Sequence, residues 1–63
     1  MNYLISRTSP RIHKTEAPAS VMIDGYLSRG SHRPVCMKRE LEFSAVYDSL
    51  EGLTSKPCPK CFA

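Results

Sequence analysis

Three cysteines constrain this chain more than any other feature: Cys36 stands alone, while Cys58 and Cys61 bracket Pro59 and Lys60 as a C-x-x-C. With 63 residues, the chain forms one domain and buries too small a fraction of its surface to be comfortably stable without a staple. Disulfides, a metal ion or a partner chain are the usual staples. An odd number of cysteines leaves one thiol over from any complete disulfide framework, which favours a metal or a partner.

The chemistry of the pair depends on its surroundings. Two thiolates at C-x-x-C spacing can hold one ion while the amides of the turn point at the sulfurs, supplying two corners of a tetrahedron. Cys36 is the only other thiol, and His13 and His32 are the only imidazoles, so the chain contains a complete Cys3His set with one histidine to spare. Zn2+ suits such sulfur and nitrogen ligands, and a closed set of four is structural. A thioredoxin-like redox pair needs a helix that starts at the first cysteine and lowers its pKa, and only Phe62 and Ala63 follow Cys61. A metal-free thiol pair is the plain alternative.

His13 is the favoured fourth ligand, with His32 as the alternative. If the segment from His32 to Cys36 is extended, those two residues lie roughly 13 Å apart and cannot share an ion. His13 is remote in sequence, but a strand carrying it can be folded opposite Cys36 by the intervening hairpin.

The pattern along the chain is mostly β. Tyr3-Leu4-Ile5 reads as a short strand ended by the turn-forming Ser6–Pro10, and Arg11–Lys14 as extended. From Ser20 to Leu27, β-branched and aromatic residues flank Asp24-Gly25, the favoured centre of a two-residue hairpin turn, or else Gly25 marks a bulge. Glu40–Ser44 alternates like a half-buried strand, yet Phe43, Val46, Tyr47 and Leu50 also follow the helical period. Two short strands are expected there, with one short helix over Ser44–Glu51, stopped by Gly52, as the runner-up. The fold expected is a small mostly-β, zinc-stapled, zinc-ribbon-like domain spanning residues 1–63.

The order Arg11-Ile12-His13, Arg33-Pro34-Val35-Cys36 and Cys58-Pro59-Lys60-Cys61 resembles the small H…C…C-x-x-C zinc-binding proteins of actinobacteria and bacteriophages. The resemblance implies a histidine on an early strand, one cysteine after a strand and a terminal C-P-x-C, together binding one zinc. In that pattern glycine often follows the lone cysteine; Met37 stands here.

Charge bears on partners. The net charge of +3 is uneven, +5 over residues 1–39 and −2 over residues 40–63. Arg7, Arg11, Lys14, Arg29 and Arg33 are the candidate contacts to an anionic partner. One expectation is a protein-interaction module, a phage-encoded inhibitor being one form, that docks through this surface or a free strand edge. The alternative is a nucleic-acid-binding zinc module, with Tyr3 or Tyr26 stacking on a base. Catalysis is not expected, because a chain this short cannot wall a substrate pocket around a nucleophile and an oxyanion site, and no small-molecule substrate is expected either. No apolar run approaches a bilayer span, no secretory leader is evident, and a reducing cytoplasmic setting is expected.

Overall fold

The computed structural model describes residues 1–63 and contains seven strands and no helix. They are β1 (Asn2–Ser6), β2 (Ser9–Thr15), β3 (Met22–Ile23), β4 (Tyr26–Leu27), β5 (Gly30–His32), β6 (Leu41–Tyr47) and β7 (Lys56–Pro57). Five form one sheet in the order β5-β6-β1-β2-β7, and β3 and β4 form a separate hairpin. The chain is thus a small, mostly-β domain, and no helix is long and apolar enough to cross a membrane.

Strand β1 organises the sheet. Leu4 lies opposite His13 on β2 and Val46 on β6, and residues directly opposite in antiparallel pairs point to the same face. Leu4 and Val46 are at most 1% exposed, and Ile12, Leu41 and Ala45 complete the apolar core apart from the cysteines. Buried polar groups share this interior, and all are partnered. Thr15 Oγ1 donates to Arg33 O at 2.8 Å, and Ser44 Oγ donates to Gly30 O at 3.1 Å. Beyond β5, Ser20 covers the edge of β6: its N–H donates to Val46 O at 2.7 Å, and its Oγ accepts from Val46 N–H at 2.8 Å.

The Asp24-Gly25 turn forms the tight hairpin, with φ of 50° and 81° at its two central residues, as a type I′ turn requires. Tyr26 is 79% exposed, although aromatic residues in so small a chain are ordinarily core. The helix over Ser44–Glu51 does not form. Ser44–Tyr47 instead completes the seven-residue strand β6, one strand where two short ones were expected, and bends and turns follow.

Two partners override the helical period: Val46 and Ala45 pair with Leu4 and Ile5, so the sheet satisfies their backbone, and Val46 is buried beside Leu4 on one face of it. Phe43 explains why both periods fitted. Three steps along β6, from Leu41 to Ser44, oppose two along β5, from His32 to Gly30. Phe43, at φ 55°, lies within this bulge and is exposed. Gly52 does adopt a left-handed φ of 80°, but as the third residue of a turn closed by Leu53 N–H to Leu50 O at 3.1 Å, not as a helix cap.

Candidate metal centre

His13 projects from β2 toward the interior and is 3% exposed. The residues on either side of it receive the two cysteine-bearing loops. Lys14 O accepts from Val35 N–H at 2.9 Å, and Thr15 bridges to Pro34, which anchors the loop carrying Cys36. Ile12 O accepts from Cys58 N–H at 2.8 Å, continuing the parallel pairing of β2 with β7. A strand turns alternate carbonyls to the same edge, so one edge of β2 holds both loops about the histidine between them.

This brings His13, Cys36, Cys58 and Cys61 together, with their four ligand atoms all within 4.8 Å of one another. His13 Nδ1 lies 3.3 Å from Cys36 Sγ and 3.8 Å from Cys61 Sγ, and Cys58 Sγ lies 3.9 Å from Cys36 Sγ. A tetrahedron with Zn–S of about 2.3 Å and Zn–N of about 2.05 Å has edges of about 3.8 Å between sulfurs and about 3.6 Å between sulfur and nitrogen. The donor set and its separations therefore fit one tetrahedral ion. No disulfide joins the thiols.

The two sulfur environments differ. Burial works to raise the Cys58 thiol, but the backbone N–H groups of Cys61 and Lys60, with the neighbouring thiols, outweigh it and hold the pKa below its ordinary value. Phe62 N–H closes the turn on Cys58 O at 3.0 Å. Cys36 is pushed up to about 12, by burial first and then by its contacts with Cys61 and Cys58, and no amide offsets these. Its turn, with Met37 following the cysteine, is closed only by a 3.5 Å contact from Met37 N–H to Pro34 O. Burial, then the Arg11 charge, lowers the His13 pKa and keeps the imidazole neutral, as ligation requires.

His32 lies elsewhere. It sits on β5 opposite Leu41, with Nδ1 2.9 Å from Ser44 Oγ. Of the basic residues, Arg7, Arg11, Arg29 and Arg33 are exposed, whereas Lys14 is half-buried, with Nζ 4.7 Å from the centre of the Phe62 ring. That ring also stacks on Tyr3, at 6.1 Å between centroids, so the residue after Cys61 is packed onto the sheet. Ser9 is a site residue that the sequence reading did not name: its Oγ lies 2.8 Å from His13 Nε2.

In comparisons with known proteins, no family model, no curated protein and no solved structure matches this chain.

Proposed function

We propose that this protein is a small interaction module held by one structural zinc ion on His13, Cys36, Cys58 and Cys61, and that it acts by docking on a protein partner and not by catalysis. The zinc reading is carried by the cluster itself, four soft or borderline donor atoms within 4.8 Å. Three sulfurs and one imidazole nitrogen in a tetrahedron suit zinc, and a closed set leaves no open position for a substrate. Metal analysis of protein purified without added metal is expected to give one zinc per chain; a protein that folds with none overturns the reading.

The docking reading draws on the β3–β4 hairpin. Ile23 pairs with Tyr26, and Val21 lies two residues before Ile23, so the three share one face, 65%, 60% and 79% exposed for Val21, Ile23 and Tyr26. Between residues 17 and 28 the only charged side chain is Asp24. Aromatic enrichment and charge depletion characterise the cores of protein interfaces. The partner that fits is a protein cleft with an apolar floor and carboxylates at its rim, meeting the exposed Arg29 just beyond β4. A photo-reactive residue in place of Tyr26 is expected to cross-link one protein in cells, and Ile23→Asp to abolish that product.

Nucleic acid is the second reading, favoured by one observation: Tyr26 is free to stack, whereas Tyr3 is engaged with Phe62. Binding to random single-stranded or duplex DNA that weakens steeply with salt would favour it; no binding at low salt removes it.

A further inference from the structure

The geometry points to Ser9 as the positioning residue that selects which nitrogen of His13 faces the metal, through a bulge in β2 that folds Ser9 back over the imidazole. The inference rests on the metal-binding reading above and adds to it the choice of ligand atom.

Ser9 and His13 are four residues apart on one strand, and a regular strand would separate them by roughly 13 Å. The β1–β2 register shows why they meet. Leu4 opposes His13 and Ser6 opposes Ser9, so two steps along β1 face four along β2. The two surplus residues fall between Ser9 and His13, where Pro10 stands, and proline is tolerated at bulges because no ladder donor is needed there. Bulges re-aim side chains. Here the result is a 2.8 Å contact between Ser9 Oγ and His13 Nε2.

Both ring nitrogens are therefore committed. Nδ1 faces the sulfurs of Cys36 and Cys61, at 3.3 and 3.8 Å. In a neutral imidazole that uses Nδ1 as a ligand, the proton resides on Nε2, and Ser9 Oγ is the acceptor placed to receive it. Without that hydroxyl the buried N–H loses its partner, and the ring loses the contact that opposes rotation to the other nitrogen. Partners of this kind typically contribute 10- to 100-fold to metal affinity.

The test is competition for Zn2+ between a chromophoric chelator and the full chain, as the original protein, Ser9→Ala, Ser9→Thr, and each in a His13→Ala background. Ser9→Ala is expected to weaken zinc binding by about tenfold or more. Ser9→Thr should restore it to within a few-fold, and with His13 absent Ser9→Ala should change nothing. Nitrogen-15 spectra of the zinc-loaded original protein should show Nδ1 bound and Nε2 protonated, a readout that stands even if Ser9→Ala does not fold. Binding by Ser9→Ala equal to that of the original, equal weakening in both backgrounds, or ligation through Nε2 overturns the role of Ser9 while leaving the metal site intact. A folded original protein that takes up no zinc overturns both.

Discussion

Removing the proposed zinc should unfold this protein, and the magnitude follows from what else holds it. The buried apolar side chains outside the cluster are Leu4, Ile12, Pro34, Leu41, Ala45 and Val46, with four polar side chains, Ser6, His13, Thr15 and Ser44, sharing the interior. A domain of 63 residues has a net stability of about 3 to 9 kcal/mol at the usual value per residue. Structural zinc binding contributes on the order of 10 kcal/mol or more in small domains at neutral pH. The ion's contribution therefore equals or exceeds the whole margin. Chelation should collapse the amide proton dispersion in a heteronuclear spectrum and abolish the cooperative thermal transition, and one equivalent of Zn2+ should restore both. A chelated, metal-free sample that keeps its dispersion and melts within a few degrees of the loaded one would refute this reasoning.

Three further outcomes are expected. His13→Ala should reduce bound zinc or its affinity at least tenfold by chelator competition, whereas His32→Ala should leave one zinc per chain, because the His32 ring contacts Ser44 and lies outside the cluster. Ser44→Ala should cost about 1 to 3 kcal/mol in the thermal or denaturant transition of the zinc-loaded protein, since Ser44 is fully buried and its hydroxyl serves both Gly30 O and His32 Nδ1. Acidification below pH 6.5 should destabilise the folded chain through His13. The folded His13 pKa is lowered, so below 6.5 the unfolded chain binds the proton first; this contribution is complete above 6.5 and is lost as pH falls through the lowered value. A nitrogen-15 titration in which the His13 imidazole of the folded chain takes up its proton above pH 6.5 would contradict that assignment.

The parts of the fold legible in the sequence were those set by local chemistry. Asp24-Gly25 demands left-handed backbone at two successive positions, and few structures other than a tight hairpin use it. The three thiols were legible as a set because a chain with so few alternatives has little choice of ligands, while the histidine was a choice between His13 and His32 that the structure makes by placing only His13 in the cluster. Phe43, Val46, Tyr47 and Leu50 were ambiguous because a single bulge shifts strand periodicity, and only pairing with Leu4 and Ile5 resolves it. The same limit hid Ser9. A four-residue spacing along an extended segment argues against contact, and that argument agrees with the exclusion of His32 from the Cys36 site, but in β2 two surplus residues defeat it. Pro10 is the one local signal that β2 is not regular.

How the edge of β2 is used also separates what assembles the site from what stabilises it. Ile12 O and Lys14 O hold the amides of Cys58 and Val35, placing the loops on either side of His13. Two such bonds contribute only about 0.5 to 1.5 kcal/mol each, far below the contribution of a structural ion. They therefore cannot hold the domain closed alone, but they determine which sulfurs arrive and from which side. Pairing in register limits the cluster to one arrangement, because a one-residue slip of β2 would turn His13 to the opposite face and bring a different carbonyl to Cys58. Specificity for this geometry thus resides in the strand, and stability would reside in the proposed ion.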